Sequence, residues 1–396
     1  MPSDSINPTK VSPQVTVIYG CGQQITGQRL ASEILINGLV ERGWQVYVIQ
    51  TPLFDRSEQY KRGERLRKQI KLGLNLIAAW YKGLRMALKS EPIVVNLGQT
   101  RFAIIRDGLP LLVRRTLKRD QRTIISLHGS LFTNWSIQSF EARFLRTITQ
   151  AVSFITVLGP RQKKQLGELG LDVKKIIHLD NTCLLPAITK QQYLDKQAIQ
   201  PIKVLYLSNL LETKGYVEFV ESIRQLATQD KIPITSTLCG SIMLMDSDTR
   251  FQNRIEAANW IKQQIDSINQ SKNVRMRWIN GAAGQVKENL FRDAHIFVLP
   301  SFYKVEAQPL AILEALASGC AVITSTAGEI PTMVSEQTAI LLDEISATTI
   351  AEAIITLQSD PNKRRQLALN GLTLFKDRFT LAKHIDRWEI LLLSIH

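Results

Sequence analysis

Cysteine is scarce in this chain, and long apolar runs are missing altogether. The 396 residues hold four cysteines, Cys21, Cys183, Cys239 and Cys320, far apart and without a Cys-x-x-Cys pair. Neither a disulfide framework nor a zinc knuckle is expected, and the four read as reduced core thiols. No stretch approaches the roughly 18 uninterrupted apolar residues of a membrane span. The nearest, Leu72 to Tyr81, contains Gly73 and Asn75 and lies between Lys71 and Lys82. The start, MPSDSINPTKVSP, lacks the basic-then-apolar order of a signal peptide, so residues 1–14 read as a polar tail and export is not expected. Repeats and low-complexity tracts are also absent, which excludes collagen-like, mucin-like and mainly disordered chains.

Positive charge, by contrast, is in excess, and only in one half. Residues 1–190 carry 28 Lys and Arg against 13 Asp and Glu, whereas residues 191–396 carry 21 against 22. The whole net charge of +14 is therefore N-terminal. Such a field draws an anionic partner: a phospholipid surface, nucleic acid or a polyanionic small substrate. The densest segment, Arg56 to Ser90, spaces Leu66, Ile70, Leu74, Ile77, Tyr81, Leu84 and Leu88 by three or four residues, one helical stripe. Lys61, Arg62, Arg65, Lys68, Lys71, Lys82, Arg85 and Lys89 decorate the other faces, and Trp80 stands beside Tyr81. Two readings fit: a helix at about 57–90 lying on an anionic membrane, or a core-packed helix with a solvated basic face. Nucleic acid is not expected, because the aromatics follow helix spacing and no binding module accompanies them.

At this length two domains are the default. Apolar runs alternate with helical stretches at 15–20, 44–50, 92–98, 123–129, 154–159 and 176–181, the rhythm of a doubly wound parallel sheet. The rhythm lapses over 183–200 and resumes at 204–209, 234–240, 274–281, 295–300 and 321–326. The expected organisation is an α/β chain of two Rossmann-like domains facing a cleft, 15–190 and 191–378. A last helical stretch near 361–395 has no strand after it, and its end, 379–396, is a candidate to pack back on the first domain.

Two passages carry chemistry. Tyr19-Gly20-Cys21-Gly22-Gln23-Gln24-Ile25 imitates a dinucleotide fingerprint, but Ile25 stands at its third glycine. The next strand ends in Gln50 and Thr51 where a ribose-binding acid is wanted. What survives is a loop with Gly20, Gly22 and Gly27 ahead of a helix, able to approach a phosphate or sugar closely, or merely a tight turn. The second passage, Ser301 to Gly319, sets Glu306 in a loop and Glu314 inside a helix expected to begin near Gln308, with Pro309 in its first turn. A phosphate at that helix start would have both carboxylates beside it as hydroxyl acceptors.

This second passage resembles the Glu-x7-Glu donor motif of retaining GT-B glycosyltransferases of family 4. The resemblance extends to Ser318–Thr324, Gly328-Glu329-Ile330-Pro331, Ser208 to Gly215, Leu127-His128-Gly129-Ser130 and the Gly22–Gly27 loop. It implies a GT-B fold and a sugar transfer from a nucleotide-sugar. Glu306 would hold donor hydroxyls near the reacting carbon, Glu314 the ribose, Lys214 the diphosphate, and His128 would reach the transferred sugar. Gln308, Pro309 and Leu310 would line the donor. The arginine of the pattern is Asn209 here, and its glycines after the first Glu are Ala307 and Pro309. Arg275, Arg277 and Arg292 are candidates to replace the lost cation. The resemblance further implies that lysine and helix start do the charge work, so neither metal nor cofactor is expected beyond the nucleotide-sugar. The expected acceptor is a glycolipid or envelope polysaccharide, and the expected location is cytoplasmic, peripheral on the inner face of the plasma membrane. A non-catalytic sugar or membrane-surface binding protein of the same fold, an NAD-type oxidoreductase and a sugar-nucleotide epimerase stay open.

Overall fold

The protein is described by a computed structural model over residues 12–21, 27–52, 62–87, 91–116, 122–230, 232–245 and 248–396. The chain forms two compact units. The first comprises residues up to Val157, Lys163–Leu179 and Ile385–His396; the second comprises Leu158–Gln162 and Asp180–His384. The chain thus passes between them at 157/158, at 162/163, at 179/180, about ten residues before the boundary read from the lapse in rhythm, and again inside its last helix.

The first unit is built on β1 (Gln14–Cys21), β2 (Gln45–Pro52), β3 (Ile93–Asn96), β4 (Thr123–Ser126), β5 (Phe154–Val157) and β6 (Ile176–His178). They form one parallel sheet in the order β2-β1-β3-β4-β5-β6. Strands β3 and β4 are buried at every position, as centre strands covered on both faces must be. Helices α1 (Gly27–Glu41), α2 (Arg62–Ala87), α3 (Arg101–Thr116), α4 (Phe140–Thr149) and α5 (Pro160–Glu168) cross between them. At the carboxyl edge, the buried Asp107 takes bonds from Arg106, from Thr51 Oγ1 (3.0 Å) and from the Gly98 N–H (3.0 Å), so both charges are satisfied without water.

The basic helix separates the two readings of its stripe. Among the described side-chain positions of α2 the buried ones are Ala79 and Gly83, with Trp80 Nε1 donating to the Arg106 carbonyl (2.9 Å) and Gly83 letting Pro110 approach. Leu74, Ile77 and Tyr81 are instead 61–62% exposed, and Leu84 is half-buried. Leu66, Ile70 and Leu88 lie outside the described side chains.

The second unit follows α6 (Lys190–Gln197) with β7 (Ile202–Leu207), α7 (Tyr216–Gln229), β8 (Ile234–Cys239), α8 (Arg254–Ile268), β9 (Val274–Ile279), α9 (Gly284–Asp293) and β10 (Ile296–Leu299). Then come α10 (Leu310–Ala317), β11 (Ala321–Ser325), α11 (Ile330–Met333), β12 (Ala339–Leu342), α12 (Ala347–Ser359) and α13 (Pro361–Leu374). The six strands are parallel in the order β12-β11-β10-β7-β8-β9. One apolar core runs through this unit, with β10, β11 and most of α10 fully buried. The single helix expected over 361–395 is broken: a π-turn at Phe375–Phe379 and the extended Thr380 separate α13 from α14 (Leu381–Leu393). From Ile385 onward α14 belongs to the first unit, where Asp386 pairs with Arg42 (2.6 Å) and Glu389 accepts from Trp44 Nε1 (2.8 Å). Among the described residues no helix is long and apolar enough to cross a membrane.

Candidate functional site

The parallel sheet of the second unit puts the ends of β7, β8, β9 and β10 at one edge, and the loops that leave it carry the charged residues. After β7 the chain makes a 3-10 turn, Glu212–Lys214, closed by Gly215 at φ +73. A Cβ at Gly215 would lie 2.3 Å from the Pro300 carbonyl, so only glycine lets this turn sit against the end of β10. The Phe302 N–H donates to the Thr213 carbonyl (2.9 Å) and fastens the two loops together. Lys214 and Glu306 are thereby brought into direct contact as an ion pair. Ser301 Oγ donates to the same Glu306 oxygen (2.7 Å), and the Tyr303 ring lies 5.3 Å from the Lys214 ammonium. Burial raises the Tyr303 hydroxyl above its usual pKa, and the Glu306 charge adds to the rise.

Glu306 is held from behind. Gly328, at φ +51, is packed so closely that a Cβ there would fall 1.8 Å from the Glu306 carbonyl, and the Glu329 N–H reaches that carbonyl (3.3 Å). The Glu329 carboxylate accepts the Gln162 N–H (2.5 Å) at the first turn of α5.

Helix α10 starts at Leu310, two residues later than expected, because Pro309 is extended at φ −61, ψ 120 and acts as the N-cap. Glu314 does lie within the helix, buried, and pairs with Lys287 of α9 (2.5 Å). Burial raises its carboxyl pKa while Lys287 pulls it back. Gln308 is also buried, and its amide is spent within the unit: Oε1 accepts the Asn181 N–H (2.7 Å) and Nε2 donates to Asp180 Oδ1 (2.9 Å). Arg378 holds the same Asp180 with two bonds (2.6 and 2.7 Å). Leu310 and Pro309 are half-buried and Asn209 is exposed just past β7.

None of the three candidate replacement arginines reaches Lys214 or Glu306. Arg275 bonds to the Ser271 and Val274 carbonyls at the opposite end of β9, Arg277 Nε donates to Thr237 Oγ1 (3.1 Å), and Arg292 pairs with Glu288 (2.7 Å). The second cation near the carboxylates is Lys287, which no motif marked. An Asp-x-Asp triplet, Asp246-Ser247-Asp248, follows β8. Asp246 and Ser247 lie outside the described residues, and Asp248 accepts the Met245 N–H (2.7 Å).

In the first unit His128 stands two residues beyond β4, half-buried, with Nε2 3.1 Å from Ser126 Oγ. Thr156 Oγ1 donates to that Ser126 hydroxyl (3.0 Å). Gly27 is the exposed first residue of α1, and Gly22 lies outside the described residues. Gln50 donates to the Tyr19 hydroxyl (2.8 Å), so an amide stands where a dinucleotide site would want a carboxylate.

Residues 190–373 match the family described as glycosyl transferases group 1. No curated protein matches the chain in sequence. Among solved structures, sucrose-phosphate synthase from Thermosynechococcus elongatus is 17% identical, with a TM-score of 0.67 over 97% of this chain and 99% of that one. HepE from Anabaena, solved with UDP, is 16% identical with a TM-score of 0.69 over 96% and 100%. A glycosyltransferase from Rickettsia africae is 12% identical with a TM-score of 0.68 over 97% and 99%. The fold of this chain is that of the GT-B glycosyltransferases, and its second unit carries the sequence match to glycosyl transferases group 1.

Proposed function

We propose that the protein is a nucleotide-sugar-dependent glycosyltransferase that retains anomeric configuration and takes its donor at the carboxyl edge of the second sheet. The observation that carries the reading is the paired arrangement there: Lys214 on Glu306 and Lys287 on Glu314, on loops and helices that leave β7, β9 and β10 at the same edge of one parallel sheet. When a sugar leaves a nucleoside diphosphate, negative charge grows on the diphosphate oxygen. An ammonium positioned beforehand stabilises that charge without reorganisation, which is the work assigned to Lys214. Glu306, released from Lys214 as the diphosphate arrives, accepts hydroxyls of the transferred sugar, and Glu314 accepts those of the ribose. The second Lys–Glu pair, Lys287 with Glu314, keeps the site near neutral before the donor brings its own charge. HepE has been solved with UDP and with UDP-glucose, so uridine nucleotides are the first donors to try.

The acceptor is proposed to lie on an anionic membrane met by α2. Leu74, Ile77 and Tyr81 are exposed on one face, with Lys82 and Arg85 beside them, the arrangement that inserts apolar side chains among lipids while lysine and arginine stay at the headgroups. Each basic residue near such a surface adds about 1 kcal/mol.

Two experiments test the two halves. Incubation with UDP-glucose, with and without a chelator, should release UDP slowly by hydrolysis, and Glu306→Gln should lower the rate at least a hundredfold by order of magnitude. Equal rates for wild type and variant would end the donor reading, and loss of activity in chelator would end the metal-independent one. For the membrane, wild type should sediment with anionic vesicles and not with neutral ones, and Leu74→Ser/Ile77→Ser/Tyr81→Ser should stay in solution. Equal indifference to both vesicles refutes it.

A further inference from the structure

Glu314 is buried at 3% exposure, its Oε1 is held by the Lys287 ammonium at 2.5 Å, and its Oε2 is buried with no partner among the described residues. A buried carboxylate oxygen left without a donor is expensive, and native structures keep one chiefly where a ligand will supply the missing hydrogen. Lys287 cannot supply it, since its ammonium is on the other oxygen. We propose that Lys287 is a positioning residue for the nucleotide: by holding one oxygen of Glu314 it keeps the carboxylate ionised and turned, so that the site selects a ribonucleotide, with its vicinal hydroxyls, over a 2′-deoxyribonucleotide. The inference rests on the reading of this edge as a nucleotide-sugar site and adds to it the residue that sets the sugar preference of the nucleotide itself.

The chemistry follows from the charge state. An ionised carboxylate accepts from two hydroxyls at once, whereas a protonated one offers a donor where the ribose also brings donors. Burial alone would drive Glu314 towards the protonated form. The groups facing it are few: Lys287 from α9, and the thiol of Cys183, which burial keeps neutral. Near Lys287 stands Cys239, whose thiol burial lifts to about 11. Lys287 is therefore the one cation acting directly on Glu314 among the described groups. It approaches from the first turn of a different helix, α9, so neither side chain can swing away without leaving the other charge exposed to a low-dielectric wall.

The test measures binding of UDP, GDP and ADP, each beside its 2′-deoxy counterpart, to wild type, Lys287→Met and Lys287→Arg by calorimetry, with a melting curve to confirm that each variant is folded. Wild type should prefer the ribonucleotide by about tenfold to a hundredfold, the worth of a hydrogen bond to a charged acceptor. Lys287→Met should bring the ratio to within about twofold near neutral pH and restore it as pH rises and Glu314 ionises. Lys287→Arg should keep the wild-type ratio at all pH values. Because the phosphates titrate alike in both nucleotides, the ratio isolates the ribose contact. A wild-type preference that survives in Lys287→Met, or a wild type that binds both forms equally, overturns the inference while leaving the donor site intact. Failure of every ribonucleotide to bind wild type would instead remove the proposed function on which it stands.

Discussion

The imidazole of His295 makes the second unit acid-sensitive in a way that can be calculated. His295 stands one residue before β10, buried at 1% exposure, with its Nδ1 accepting the Lys203 N–H (3.0 Å) and its Nε2 facing the Lys196 carbonyl (2.9 Å). One nitrogen accepts and the other donates, which is the neutral ring. Desolvation lowers its pKa from 6.5 to about 4, with the nearby charges of Lys196, Arg364 and Lys203 acting in the same direction. The unfolded chain therefore takes up this proton at a higher pH than the folded one. The stabilisation is complete above about pH 6.5 and is lost as pH falls through the folded value near 4. Between pH 7 and pH 5 the loss is about 2 kcal/mol. Other groups titrate over the same range, so the measurement is a difference: urea unfolding of wild type and of His295→Asn, whose amide oxygen can replace Nδ1 and which does not titrate. The advantage of wild type over the variant should shrink by about 2 kcal/mol from pH 7 to pH 5. Parallel profiles would refute a neutral buried ring. The consequence reaches the site, because β10 ends where Ser301 and Glu306 begin.

Three further outcomes follow from packing. Gly328→Ala places a Cβ 1.8 Å from the Glu306 carbonyl at φ +51, so it should destabilise by about 2 kcal/mol or more and abolish the nucleotide-induced shift in melting temperature; full retention of both would show that the loop behind Glu306 yields freely. Arg378→Ala takes two charged bonds from the buried Asp180 carboxylate, and urea unfolding should show a loss of about 3 kcal/mol; a loss under 1 kcal/mol would mean that water replaces the guanidinium. Removing residues 385–396 strips the first unit of Ile385, which lies against Gly38, and of the acids paired with Arg42, so limited proteolysis should then cut near α1, and an unchanged pattern would contradict the assignment of this segment to the first unit.

Much of the fold was legible because parallel strands buried on both faces read as apolar runs, and eleven of them punctuate the sequence clearly. What escaped notice has physical reasons. Strand β12 is four residues, Ala-Ile-Leu-Leu, at an edge, too short to stand out from a loop. Helix α5, PRQKKQLGE, is short and polar, so no apolar stripe announces it. The stripe of α2 was visible but not its side: helical spacing cannot tell a core face from an exposed one, and here Leu74, Ile77 and Tyr81 face outward while small residues, Ala79 and Gly83, pack inward. Glu306, Glu314 and Lys214 were singled out in the sequence by the resemblance to the Glu-x7-Glu and Lys-Gly motifs. Lys287 was not, since it meets Glu314 across 27 residues of chain and belongs to no pattern. Gln308 was read as facing a ligand, yet the fold turns its amide to Asn181 and Asp180.

The central claim is that the edge bearing Glu306, Lys214 and Glu314 is a nucleoside diphosphate site. Thermal melting of wild type and Glu314→Ala with UDP, GDP, ADP, CDP and NAD, without added metal, tests it most directly. A diphosphate at about 100 times its dissociation constant stabilises by about 2.7 kcal/mol, an easily measured shift. The account predicts that one nucleoside diphosphate raises the melting temperature of wild type and that Glu314→Ala removes the effect; a shift with NAD alone, with none of the five, or equally in both proteins would contradict it.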